Sequence, residues 1–347
     1  MTRPRFRVDL TADFYDADGQ LKYADVGLNR LSAIKGLEIG RLAEHRPEIG
    51  SDQCPDAQGL LVLTPRVTAH TLSRAQNLLA ISRFGVGYDN VDVAACTAAD
   101  VVLCIATGAV DHSVAEATVG WMLALTHHVR MKDLLIRESR WNDRSRYMGS
   151  ELRERTLGLV GFGGIGRTVV RLLSGFGMQS PLVYDPYVPT AQLNASGVRA
   201  ATLDELLSQS DFVSLHCPLN DQTRNLIGPR ELGMMKPTAY LLNTARGGIV
   251  DEAALFEALA TRRIAGAALD CFTDEPPVGP SRFAELDNVL LAPHSIAWTH
   301  ELFRDIGRTA CQSLVDLAQG RRPHGVVNPE VLDRPSFQEK WTRLRLV

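Results

Sequence analysis

No apolar run in the chain is long enough to cross a bilayer. The stretch around Trp121 to Leu125 falls far short of the ~20 residues that a spanning helix needs. The opening MTRPRFRVDL lacks the apolar core of a secretory signal, so a cytoplasmic location is expected, with no membrane partner. Charge of one sign is missing as well. Lys and Arg number 37 against 40 Asp and Glu, a net charge of −3, which leaves no global field to recruit nucleic acid or an anionic surface. Of the 37 cations 32 are arginine, a choice of residue that says nothing about partners. The six cysteines (Cys54, Cys96, Cys104, Cys217, Cys271, Cys311) include no CxxC and no Cys/His cluster at metal spacing. Reduced, mostly buried thiols are therefore expected, with neither disulfide nor metal site. Internal repeats and low-complexity tracts are absent too.

What is present is material for a core. With 45% hydrophobic residues over 347 positions, the chain has the length of about two domains. Short apolar runs ending at Gly, Pro or Asp alternate with helical spacing, the pattern of an α/β protein with mainly parallel sheets. In the first third the runs are Phe6 to Leu10, Leu60 to Thr64, Leu78 to Ser82 and Val101 to Ala106, enough for one small doubly wound domain. Ser113 to Val129 reads as a long helix, with Ser113 as N-cap and Glu116 at the capping-box position. Its apolar residues Val119, Trp121, Met122, Leu123 and Leu125 suit either a domain or subunit interface or an ordinary buried helix. Between Arg130 and Arg155 eight cations and five acids mix, which reads as a solvated face or linker. Further on, Thr156 to Val160, Leu182 to Asp185, Asp211 to Leu215, Ala239 to Asn243, Ala265 to Leu269 and Val289 to Leu291 read as six strands. They alternate with helical segments at Gly164 to Leu173, Leu203 to Leu207 and Glu252 to Ala260, a Rossmann-type count.

Directly after the first of those six strands, LGLVGFGGIGRTVVRLL places Gly161, Gly163 and Gly166 at GxGxxG spacing. The first glycine permits a tight turn, the second lets backbone approach a pyrophosphate, and the third lets helix and strand pack closely. Gly164 and Ile165 add N–H groups to the same helix start. Asp185 lies 19 residues beyond Gly166, where a carboxylate accepts from ribose hydroxyls and repels a 2′-phosphate. Pro186 and Tyr187 follow it instead of a cation, which favours NAD(H) over NADP(H). Downstream, Arg246, Glu275 and His294 each stand near a strand end. A guanidinium fork, a carboxylate and an imidazole are what hydride transfer at a 2-oxo acid requires.

These residues carry a resemblance. From about Leu60 to Asn328 the chain is similar to the D-isomer-specific 2-hydroxyacid dehydrogenase family, which includes glyoxylate/hydroxypyruvate reductases, D-lactate dehydrogenases and D-3-phosphoglycerate dehydrogenases. Beside the glycine fingerprint, the likeness rests on RFGVGYDNVD (Arg83 to Asp92), SVAE (Ser113 to Glu116), HCPLNDQT (His216 to Thr223), NTARGGIVDE (Asn243 to Glu252), Asp270, Glu275 and Pro293-His294. It implies a Rossmann NAD-binding domain at 109–296 and a flavodoxin-like substrate domain built from both termini, 1–108 and 297–347, with the active site in the cleft. A homodimer through the NAD domain, including the long helix after Ser113, is the family habit.

By the same resemblance His294 would pass a proton to and from the substrate's carbonyl oxygen. Glu275 would hold its tautomer and raise its pKa, and Arg246 would bind the carboxylate and keto oxygen. The N–H groups of Val86 and Gly87 would cradle the carboxylate, Asp270 would bind the nicotinamide carboxamide, and His216, Pro218, Thr223, Thr244 and Ala245 would line the cofactor groove. For His216 and Thr223 a purely structural turn role is the alternative. Three positions depart from the family pattern: Phe84 and the Ala297-Trp298 pair where small residues are usual, and Val110 where an Asn is usual. Arg66 is a candidate contact for a phosphate-bearing substrate, or simply a solvated arginine. No domain of about 80 residues follows the tail, which argues against the long, serine-regulated type of phosphoglycerate dehydrogenase. The expected activity is interconversion of a small 2-oxo acid and its D-2-hydroxy acid. The rival is an NADH-sensing, corepressor-like binding protein of the same fold with little turnover.

Overall fold

Several strands are buried at every position, which requires that both sheet faces be covered. LGLV at 157–160, FVSL at 212–215 and GAAL at 266–269 are buried throughout, and they lie in a parallel sheet clothed by helices. The structure, a computed structural model, describes residues 5–346. It divides the chain into two α/β units, one made of the residues up to Val110 together with those from Trp298 onward, the other Asp111–Ala297.

In the first unit five strands, β1 (Phe6–Leu10), β2 (Leu37–Arg41), β3 (Gly59–Val62), β4 (Ala80–Arg83) and β5 (Val102–Ile105), form a parallel sheet of order β2-β1-β3-β4-β5. This is the flavodoxin-like order, with its switch point between β1 and β3. Leu60, Val62, Leu78, Ile81 and Leu103 form the centre of its core. The tail joins this unit through hydrogen bonds. Buried Asn328 accepts from the Leu103 N–H at 2.8 Å and donates to the Val101 carbonyl at 3.0 Å, while within the tail Trp341 Nε1 donates to the Leu317 carbonyl at 2.7 Å. The helix His300–Ala318 receives the Ser82 hydroxyl on its Ala310 carbonyl at 3.0 Å.

The second unit holds β6 (Leu157–Val160), β7 (Leu182–Tyr184), β8 (Arg199–Ala200), β9 (Phe212–Leu215), β10 (Tyr240–Asn243), β11 (Gly266–Leu269) and β12 (Val289–Leu291), in the parallel order β12-β11-β10-β9-β6-β7-β8. It is a Rossmann sheet whose chain reverses between β6 and β9.

The structure differs from the sequence reading in four places. β2 and the two-residue β8 were unforeseen, because LEIGR is a half-exposed edge without clean alternation and β8 is too short to carry a pattern. The long helix spans Asp111–Thr126, so Ser113 lies inside it and caps nothing; Asp111 occupies its first turn, where an acid suits the helix dipole, and Glu116 pairs with His112 at 3.3 Å. Most of that helix's apolar face is covered within its own unit, with Ala115, Val119, Trp121, Met122 and Leu125 in the core beside the helix Gly164–Leu172. The charged segment after it is helical at Val129–Arg137, held by an Asp133–Arg137 pair of 2.6 Å and by buried Leu135, and a 3₁₀ turn follows at Trp141–Tyr147. All six cysteines are free and five are buried. No helix among the described residues is long and apolar enough to cross a membrane.

Candidate active site

Every strand of a parallel sheet delivers its next loop to the same edge, so sequence-distant residues converge without any long connection. Gly161 follows β6, Asp185 follows β7, His216 follows β9, Thr244 to Arg246 follow β10, Asp270 and Glu275 follow β11, and His294 follows β12. Gly161 sits at the switch point with φ +95°, and a Cβ there would meet the His216 carbonyl carbon and oxygen at 2.9 Å. Glycine is required twice over, by dihedral and by space. Beside Gly163 a Cβ would find nothing within 4 Å, so that face of the loop is open. The helix Gly164–Leu172 then begins, and the N–H groups of its first turn have no partner within the helix.

Asp185 Oδ2 accepts from the Phe162 N–H at 2.8 Å and Oδ1 from the Tyr187 N–H at 2.9 Å. Each oxygen keeps a lone pair for a ribose hydroxyl, and the Phe162 bond ties the acid to the glycine loop. An open cradle, free helix-start amides and an oriented carboxylate fit a dinucleotide. His216 is half-buried. Its Nε2 lies 2.9 Å from the Ser214 hydroxyl, its Nδ1 has no partner among the described residues, and burial pushes its pKa down to about 4. The Thr223 hydroxyl donates to the Pro218 carbonyl at 2.6 Å and belongs to the local turn. Thr244 lies 3.4 Å from the Thr118 hydroxyl, oxygen to oxygen.

At the other side of the same edge, His294 Nδ1 meets Glu275 Oε2 at 2.7 Å. Burial raises the Glu275 pKa, but hydrogen bonds from His294 and from the Phe272 N–H (2.8 Å to Oε1), with the charge of Arg246, outweigh it and leave the carboxyl below its ordinary value. His294 itself has φ +52°, and its N–H donates to the Asp270 carbonyl at 2.8 Å. The Asp270 carboxylate accepts from the Ser295 and Ile296 N–H groups at 2.8 and 3.1 Å, so a buried acid shapes the turn that carries the imidazole. Burial raises the pKa of this acid, with those two bonds opposing.

Arg246 is positioned by its own loop. The Asn243 side chain accepts from the Ala245 N–H and donates to the Arg246 carbonyl at 2.8 Å, while the Arg246 guanidinium donates to the Ala245 carbonyl at 2.7 Å. Gly247 lets this loop cross the 270–275 loop, because a Cβ there would fall 1.8 Å from the Phe272 carbonyl oxygen. The fold also groups Cys271 with Glu275 and His294, their candidate ligand atoms within 4.8 Å of one another. Burial drives the Cys271 thiol far up, and it donates to the Ala245 carbonyl at 3.5 Å.

Val86 and Gly87 lie in the first unit, in the turn after β4. Neither N–H donates a hydrogen bond among the described residues, which is what a carboxylate cradle requires. Arg66 is exposed and Val110 buried. Asp111 escaped notice in the sequence. Its carboxylate lies against the glycine loop, with Oδ2 1.8 Å from where a Gly164 Cβ would be, and burial raises its pKa. Thr118, Asn243 and the Phe272 N–H were also missed, because nothing in the spacing marks a supporting contact.

The family model described as D-isomer specific 2-hydroxyacid dehydrogenase, NAD binding domain, matches residues 119–295. Over 279 residues the chain is 38% identical to a D-3-phosphoglycerate dehydrogenase of Methanocaldococcus jannaschii, covering 80% of this chain and 53% of that protein. It therefore spans about half the length of such relatives. A glyoxylate reductase of Korarchaeum cryptofilum is 33% identical, with 86% of this chain and 96% of the relative covered. Among solved structures, a glyoxylate reductase from Paecilomyes thermophila superposes with TM-score 0.79 at 27% identity, covering 94% of this chain and 99% of the other.

Proposed function

The chain belongs to the D-isomer-specific 2-hydroxyacid dehydrogenase family, and from that premise we propose that it is an NAD(H)-dependent oxidoreductase interconverting a small 2-oxo acid and its D-2-hydroxy acid. The observation that carries the reading is the Nδ1 to Oε2 contact of 2.7 Å between His294 and Glu275, on the edge that also holds Arg246 and the glycine loop. A carboxylate on Nδ1 fixes that nitrogen as the N–H and leaves Nε2 to exchange a proton with the substrate oxygen. Arg246 presents its fork to the substrate's carboxylate and keto oxygen. The free amides of Val86 and Gly87 complete carboxylate binding. Gly161, Gly163, Gly164, Ile165 and Gly166 take the pyrophosphate and Asp185 the adenosine ribose, a preference for NAD(H) over NADP(H). Bound NADH supplies the hydride.

In the reducing direction charge develops on the keto oxygen, where Arg246 stabilises it and His294 neutralises it with a proton. Glu275, kept ionised by its partners, balances the imidazolium that exists before transfer. We further propose a homodimer through the second unit. Its support is a run of exposed apolar residues just after the long helix: Val129, Ile136, Trp141 and Met148, the last 81% exposed. NADH consumption across glyoxylate, hydroxypyruvate, pyruvate, phenylpyruvate and phosphohydroxypyruvate, with NADPH in parallel, tests the activity. Tight NADH binding with no turnover on any acid would replace it by the sensor reading.

A further inference from the structure

The sequence holds no Cys/His cluster at metal spacing, yet sheet order gathers three donors of different kinds at the carboxyl edge of the second unit. Cys271 and Glu275 follow β11 and His294 follows β12, two strands that pair in parallel with Leu269 opposite Leu291. One candidate ligand atom from each of the three lies within 4.8 Å of the other two. A thiol sulfur, an imidazole nitrogen and a carboxylate oxygen are the donor types of tetrahedral zinc, with bonds of about 2.0 to 2.3 Å. Those lengths place ligand atoms about 3.3 to 3.7 Å apart, so side-chain movements on the order of 1 Å close the set.

The backbone on both sides of Cys271 is fastened to the other two residues. The Asp270 carbonyl accepts from the His294 N–H at 2.8 Å, and the Phe272 N–H donates to Glu275 Oε1 at 2.8 Å. Asp270 Oδ1 also accepts from the Ser295 and Ile296 N–H groups, which pins the turn carrying the imidazole to the strand end carrying the thiol. A set held in this way is organised before any ion arrives, and that lowers the entropic cost of binding. Access is one-sided. Cys271 is 3% exposed, whereas the side chains of His294 and Glu275 keep 45% and 35% of their surface in solvent. The thiol closes the site from the protein side, and water fills the fourth position from outside.

Resting on the activity proposed above, we infer that Cys271, Glu275 and His294 form an inhibitory site for Zn²⁺, which switches the oxidoreductase off by taking its proton carrier as a ligand. The charge of the ion deprotonates a coordinating thiol outright. The Cys271 S–H bond breaks, a sulfur–zinc bond forms and the proton leaves to water, with no electron transferred. The Glu275 carboxylate gives a lone pair to the ion in place of the imidazole. Proton exchange stops whichever nitrogen His294 offers: at Nε2 the ion occupies the reacting position, and at Nδ1 it bars the imidazolium and severs the bond to Glu275. Mg²⁺ and Ca²⁺, which prefer oxygen ligands, do not suit this set.

The test uses the full chain, dialysed against a chelator and titrated with Zn²⁺, Co²⁺ or Mg²⁺ alone. One equivalent of Zn²⁺ per chain is expected to bind, read by competition with a chromophoric chelator. It should lower NADH consumption at least ~10-fold, with EDTA restoring the rate, and Mg²⁺ should do neither. Co²⁺ in the same site should show thiolate-to-cobalt charge-transfer absorption, a signature that imidazole and carboxylate ligands alone do not give. Cys271→Ser should keep the metal-free rate within about twofold, lose the cobalt band and bind Zn²⁺ at least ~10-fold more weakly. Cys271→Ala replaces it if the serine protein fails to fold, and the cobalt band is read on the native chain in either case. Zinc affinity unmoved by the substitution, a cobalt complex without the band, or bound zinc without inhibition overturns the inference and leaves the oxidoreductase reading standing. Absence of turnover on every acid in the metal-free protein overturns that reading and the inhibitory role with it, while the cobalt band and the zinc affinity still decide the metal site.

Discussion

The two α/β units answer the same topological problem in opposite ways. Both present loops at the carboxyl edge of a parallel sheet with a reversal of strand order, the second unit between β6 and β9 and the first between β1 and β3. The second empties its edge: Gly161, Gly163 and Gly247 remove side chains so that backbone can approach a ligand or another loop, and the polar groups that remain are locked by short hydrogen bonds. The first fills its edge with rings and leaves one of them open to solvent. The difference teaches that one unit gathers titratable side chains on an edge cleared by glycines, while the other gathers aromatic rings.

The strongest way to break this division is to remove the proton carrier. His294→Ala should lower kcat by about 10²- to 10⁴-fold with NADH affinity little changed; full turnover in that protein would refute the assignment. Loss of the orienting carboxylate should cost less. Glu275→Gln removes a charge-assisted bond of roughly 1.5–3 kcal/mol, so kcat should fall about 10- to 100-fold. In the first unit, Asn328→Ala leaves the Leu103 N–H and Val101 carbonyl unpaired in the core, and thermal unfolding should report a loss of about 1–3 kcal/mol with kinetic constants retained.

A pH titration separates the units more gently. His216 has its pKa lowered from 6.5 to about 4 in the folded protein, so below pH 6.5 the unfolded chain binds the extra proton first. Stability from this group is complete above that value and is lost as pH falls toward 4. Tm measured from pH 7 to pH 4 should therefore drop less steeply in His216→Gln than in the native chain. Asp111→Asn should have the smallest effect. Relieving a carboxylate beside Gly164 should tighten NADH binding a few-fold at low ionic strength, the order of ~1 kcal/mol for charges about 4 Å apart in water, and salt should erase the gain.

The second unit was more legible than the first because its functional residues come in short contiguous strings. GFGGIG, NTARGG and APH each combine a strand end with the residue that acts, so spacing alone announces the role. The cofactor follows from the same strings. Nothing comparable marks the aromatic cluster, whose members at 14, 23, 84, 298 and 303 come from three distant stretches of chain. Phe84 and Trp298 stood out only as departures from the family pattern. The helix start at Asp111 was misread because a capping box is a local signal, and two residues of register were decided by the preceding turn.

Composition, the glycine fingerprint and the order of apolar runs by themselves determined an α/β protein with a dinucleotide-binding sheet and an Arg, Glu and His set at its edge, because each depends on neighbours within a few residues. Only the tertiary structure decided that Glu275 Oε2 would sit 2.7 Å from His294 Nδ1, that Asp270 would shape the histidine's turn, that Asp111 would face the glycine loop, and that five rings would form one cluster. Those contacts join loops from different strands, and their geometry is set by sheet order and packing, which no local spacing encodes.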